Sequence, residues 1–310
     1  MSTSVQPSTF LLVRHTLALC ILVLLANAGL FLAVLIKPFS EKTAWELACW
    51  TAYQFWSYMQ RHWENTLNAK DCLTITGDKI PENESAVVIS NHLSYADFYL
   101  VLGLAERAGM MGRSRFFVKK EIVWQIPLFG ISFWAIGTPS LSSAELITGM
   151  ILVSRNWTND ERLIEDAFAR IKQNKHNAWI VLYPEGTRRT SKKVLESQAF
   201  AREKGKSELL NVLLPRTKGF ISTIKGLRDS HVKHLYDFTF LYTSPGKVDR
   251  VPTMAEQLSC PDLAAAGYKF QVDVKRIPID CLPKDDEGLQ RWCEDRWKCK
   301  DELLSEMKAR

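Results

Sequence analysis

Two short stretches of the chain hold residue types able to move a proton and to grip a phosphate. The first, NHLSYAD, spans residues 91–97. An imidazole titrates near neutrality, so His92 is a candidate general base. A carboxylate five positions on, Asp97, can hold one ring nitrogen and leave the other free. The same spacing has a plainer reading. Ser94 followed three residues later by Asp97 resembles a helix start, in which Asp97 only favours the N-terminal turn. Spacing alone leaves both open. The second stretch, YPEGTRR, spans residues 183–189 and follows the apolar run AWIVLY. Beside Glu185, Gly186 lets the backbone approach a ligand, Thr187 offers a hydroxyl, and Arg188 carries a planar guanidinium that grips phosphate through two donors. The structural alternative is a polar turn with a solvated basic face, extended by Arg189, Lys192 and Lys193.

Two weaker signals accompany these. Arg155 follows the run MILVS beside Trp157, where a ligand contact and an ordinary surface arginine are both open. LLPRTKGF, residues 213–220, brackets two basic residues between proline and glycine. It reads as a turn before a helix or as a wall for an acyl chain. No G-x-S-x-G elbow, G-x-G-x-x-G fingerprint or Walker loop occurs, so a serine nucleophile and a nucleotide cradle lose ground. The seven cysteines form no C-x-x-C pair, which gives no reason to expect a metal. Scattered thiols of this kind suit a reducing compartment.

The elements that must position these residues alternate. β-rich runs fall at 86–90, 115–119, 150–154, 178–183, 235–243 and 270–279. Helical patterns fall at 94–108, 159–173 and 191–205, with a charged helix over 286–308. Thr158 and Glu161 have the spacing of a capping box for the second of these helices. Alternation of this kind predicts an α/β fold with a largely parallel sheet and flanking helices. Ahead of it lies LALCILVLLANAGLFLAVLI, residues 17–36, free of charge and as long as the roughly 20 residues a membrane-spanning helix needs. A signal peptide cleaved after Ala28 is the rival, but the apolar run continues past that point, which suits an anchor better. Residues 41–65 carry Trp45, Trp50, Trp56 and Trp63, expected on a helix at the membrane boundary, packed on the domain, or both. The expected organisation is a tail over 1–16, an anchor over 17–36, an interfacial helix over 37–70 and a catalytic domain over 71–310. A net charge of +6 fits work beside anionic lipid, nucleic acid or a phosphorylated substrate without choosing among them.

Together the motifs resemble the glycerophospholipid acyltransferase family. NHLSYAD is similar to its N-H-x-x-x-x-D block, GMILVSR to a block ending in arginine, YPEGTRR to the E-G-T-R block and LLPRTKGF to the proline block. The resemblance runs from about Cys72 to Glu306 and leans to the branch of lysophosphatidylinositol and lysocardiolipin acyltransferases, fungal-type members closest. Arg189 departs from it, standing where relatives commonly carry a hydrophobic or aromatic residue. The resemblance implies transfer of an acyl chain from acyl-CoA to a lysophospholipid, with lysophosphatidate or lysophosphatidylinositol the expected acceptor. It assigns His92 and Asp97 to catalysis, and Arg155, Glu185, Gly186, Thr187 and Arg188 to the acceptor. It implies no cofactor beyond the acyl-CoA co-substrate, no nucleic-acid partner, and residence in a membrane such as the endoplasmic reticulum. A phospholipase or transacylase using the same pair, and a non-catalytic lipid-binding protein, are the alternatives.

Overall fold

The computed structural model describes residues 8–119, 150–153, 157–248 and 250–309. Its strands are β1 (Leu73–Gly77), β2 (Ala86–Ser90), β3 (Ser114–Lys119), β4 (Met150–Val153), β5 (Trp179–Leu182), β6 (His234–Ser244), β7 (Lys247–Val248) and β8 (Lys269–Pro278). They form one sheet in the order β1-β8-β6-β2-β5-β3-β4, with β7 beside β6. The neighbours of β2, β3 and β5 run parallel, as does the β1–β8 pair. Among the described residues the antiparallel pairs are β6 with β8 and β6 with β7. The expected α/β architecture with a largely parallel sheet is therefore the one observed. The edge strand β1, which left no apolar run in the sequence, is almost wholly exposed.

Period-two alternation sorts the central strands between two cores. Val88 and Val181 join Phe238 and Phe240 on one face, while Val87, Ile89, Ile180 and Leu182 line the other. Both faces are covered, so β2 and β5 are buried along their whole length, the usual state of a parallel strand. The helices are α1 (Thr9–Ile36), α2 (Glu41–Arg61), α3 (Asp97–Arg107), α4 (Trp157–Asn174), α5 (Ser191–Glu203), α6 (Thr217–Leu227), α7 (Met254–Ser259) and α8 (Asp286–Ala309). One expected boundary is corrected: α3 starts at Asp97 rather than Ser94, because the intervening residues form a turn. The side chains of Thr158 and Glu161, the expected capping box, lie outside the described residues.

The apolar helix is longer than the uncharged run. It begins at Thr9, where Ser8 Oγ accepts from Leu11 N at 3.3 Å. Its 28 residues span about 42 Å at 1.5 Å each, and it is long and apolar enough to cross a membrane. Leu17, Ile21, Leu24 and Leu25 are exposed, whereas Leu19, Leu22, Val23 and Ala26 pack against the domain core. α2 folds back along α1. A Cβ on Gly29 would sit 2.6 Å from Thr51 Oγ1, so that approach requires glycine. In the tryptophan-rich segment, Trp45 and Trp63 are buried and Trp50 is exposed, so one face packs and another looks outward.

The end of β2 is fixed by a side chain. Where the main chain turns away after Ser90, the Asn91 amide donates to Phe240 O at 2.9 Å and its Oδ1 accepts from Phe240 N at 2.8 Å. Asn91 thus continues the ladder to β6 past the last main-chain pair, Ser90 with Phe238. Asn91→Ala leaves both Phe240 groups buried without partners. We expect a loss of about 2–4 kcal/mol, read as a lowered unfolding midpoint in detergent.

Candidate active site

Parallel strands deliver their following loops to one edge of the sheet, where ligands of open α/β sheets bind. β2 and β5 are neighbours, so the turn carrying NHLSYAD lies against the turn carrying YPEGTRR. Main-chain and carboxylate bonds stitch them together. Arg189 N donates to His92 O at 2.7 Å, and His92 N donates to Glu185 Oε1 at 3.3 Å.

Asp97 opens α3 with its carboxylate folded back over the turn. Oδ2 accepts from His92 Nδ1 at 2.8 Å and from Leu93 N at 2.7 Å. Ser94 N lies 3.0 Å from both oxygens, and the Tyr242 hydroxyl donates to Oδ1 at 2.8 Å. The helix-start reading and the histidine-orienting reading therefore describe the same carboxylate. Because an ionised carboxylate only accepts, Nδ1 carries the proton and Nε2 is left as the basic nitrogen. The His92 ring stacks on Tyr183, centroids 4.2 Å apart, and its side chain is 21% exposed against 1% for Asp97.

The remaining predicted residues occupy distinct places. Burial pushes the Glu185 carboxyl up from 4.5 to about 8, with backbone N–H groups of Leu213 and His92 opposing the shift. At neutral pH it is therefore mostly protonated, a brace beneath the two loops. Gly186 has φ +65°, and its N–H donates to Tyr183 O at 2.8 Å. A Cβ there would also press on Arg216 Cδ at 3.2 Å. Glycine is thus needed twice, for the turn and for the approach of Arg216, whose N–H donates to Pro184 O at 2.7 Å. The PRTKG run reaches the same edge by that route. Thr187 Oγ1 bonds Lys193 Nζ. The Arg188 guanidinium stacks 3.4 Å above the Tyr95 ring, joining the first motif to the second and keeping its donors in the plane of the fork. Arg189, the departure from the family pattern, donates to Leu210 O at 3.0 Å. Arg155 lies outside the described residues.

Sequence reasoning missed Tyr242, Tyr183 and the bracing by α8. Tyr242 sits in a run that reads only as a strand, and its role depends on β6 lying next to β2. From α8, Lys300 is buried and bonds Asp237, Phe238 O and Thr239 Oγ1 on β6. Its charge also bears on Glu185.

The acyltransferase family model matches residues 72–227, and the acyltransferase C-terminus model matches residues 264–310. The chain is 30% identical over 221 residues to 1-acyl-sn-glycerol-3-phosphate acyltransferase 3 of Arabidopsis thaliana, covering 71% of this chain and 53% of that protein. It is 31% identical over 225 residues to 1-acyl-sn-glycerol-3-phosphate acyltransferase delta of Homo sapiens, covering 72% of this chain and 53% of that one. A third relative, probable 1-acyl-sn-glycerol-3-phosphate acyltransferase 5 of Arabidopsis thaliana, is 27% identical over 93% of this chain and 72% of its own length. The chain thus spans about half the length of the first two. It belongs to the glycerophospholipid acyltransferase family.

The raised Glu185 carboxyl has a consequence for stability. The contribution of its protonated form is fully present below the ordinary value of 4.5 and is lost as pH rises through about 8. Glu185→Gln mimics the protonated state. Its melting temperature should match wild type near pH 4.5, exceed it increasingly up to about pH 8, and keep a constant lead above that.

Proposed function

We propose that the chain is an acyl-CoA-dependent lysophospholipid O-acyltransferase, with lysophosphatidate as acceptor. The observation that carries this reading is the His92–Asp97 pair, with Nδ1 tied to a buried carboxylate and the Arg188 guanidinium on the adjoining loop stacked over Tyr95. The acceptor's free glycerol hydroxyl gives its proton to His92 Nε2, and the oxygen attacks the thioester carbonyl carbon. The resulting oxyanion collapses, the C–S bond breaks, and the CoA thiolate recovers the proton from the imidazolium. No acyl-enzyme forms. Arg188, held flat on Tyr95, grips the acceptor phosphate, and Arg216 beside Gly186 adds a second positive charge. The names of the relatives support lysophosphatidate over other headgroups.

Both substrates carry long chains and partition into a bilayer. The apolar exposed side of α1 and the outward Trp50 support membrane attachment close to that supply. The endoplasmic reticulum is the membrane we infer, on the family resemblance.

The test is CoA release from oleoyl-CoA by the purified full chain, which should depend on added lysophosphatidate. His92→Ala should lower turnover by roughly 10²–10⁴-fold or more without loss of fold. Arg188→Lys keeps the charge but loses the fork, and should raise the KM for lysophosphatidate roughly 10-fold or more while sparing that for acyl-CoA. CoA release without any acceptor would instead mark a thioesterase, and a selective rise in the acyl-CoA KM would move Arg188 to the donor.

A further inference from the structure

We propose that Tyr242 is a positioning residue for the His92–Asp97 pair, its hydroxyl fixing Asp97 Oδ1 so that Oδ2 stays turned to His92 Nδ1. The inference rests on the reading of His92 as the base. Tyr242 projects from β6, the strand beside β2, and is 1% exposed. Its hydroxyl donates to Oδ1 at 2.8 Å, and its ring packs edge-on against Phe270 at 5.5 Å. Leu93 N and Ser94 N already bind the carboxylate from its own turn. They come from the segment that carries His92, so any shift of that segment moves them with it. Tyr242 is the donor that comes from a different element, the largely buried β6. It ties the carboxylate to the rigid sheet rather than to the turn.

The titratable and charged groups facing the pair are Tyr183 under the His92 ring, Glu185 against His92 N, Arg188 on Tyr95, and Lys300 behind Glu185. Burial and the charge of Asp97 push the hydroxyls of Tyr183 and Tyr242 well up, so both stay protonated donors through the working range. Glu185 changes charge near pH 8, but in wild type and a Tyr242 variant alike.

Tyr242→Phe removes the hydroxyl and keeps the ring. The His92 Nδ1–H proton signal is followed by NMR in detergent micelles, assigned by its absence in His92→Gln, with kcat and KM measured alongside. We expect that signal to move upfield as the bond to Oδ2 loosens, with kcat down roughly 3–10-fold and both KM values within about two-fold. Phe270→Leu loosens the same packing without touching the hydroxyl, and should lower the melting temperature while leaving the signal in place. A Tyr242→Phe signal equal to wild type would overturn the proposal, as would an equal shift in Phe270→Leu. If the signal moves as expected but no lysophospholipid is acylated, Tyr242 keeps its role and the acyl-transfer reading fails.

Discussion

The carboxylate of Asp97 is buried to 1%, and a charge so placed is tolerable only when donors surround it. Here they come from three directions: the main chain of its own turn, the ring of His92, and the hydroxyl of Tyr242 on β6. That requirement fixes much else. The turn at 91–96 must close over the carboxylate, β6 must lie beside β2, and Asn91 must hold the two strands together where the main chain leaves the sheet. The free nitrogen of His92 is the result of satisfying a carboxylate that has nowhere else to turn.

The second loop answers to a different constraint, close approach. Gly186 adopts a positive φ and leaves room for Arg216, while Glu185 reaches underneath to His92 N. Behind both loops, α8 inserts Lys300 into β6 and holds Asp237, Phe238 and Thr239. The match to the acyltransferase C-terminus model covers this helix. A segment far from the motifs in sequence therefore supports the strand that presents Tyr242. Its removal would be felt at the site through packing, with no contact of its own to a substrate.

What was legible in the sequence followed from local chemistry. β2 and β5 announced themselves as continuous apolar runs because both their faces are buried, and the two polar motifs stood out because each follows such a run. β1 did not, since an exposed edge strand needs no apolar pattern. Asp97 looked ambiguous because one carboxylate serves both the turn and the histidine. Tyr242 and Tyr183 were hidden for a shared reason. Each touches a neighbour set by strand order, which is not written in the spacing of residues along the chain.

The proposed chemistry requires that Asp97 orient His92 for proton transfer. Asp97→Asn replaces an oxygen that accepts from Nδ1 with a group that can present a donor there, favouring the wrong tautomer. Turnover of oleoyl-CoA with lysophosphatidate, measured on the full chain in micelles beside its melting curve, decides the matter. We expect a fold that persists and turnover lowered by roughly 10²–10⁴-fold. Near-wild-type turnover in a folded Asp97→Asn protein would contradict it, and would reduce Asp97 to the closing residue of a turn.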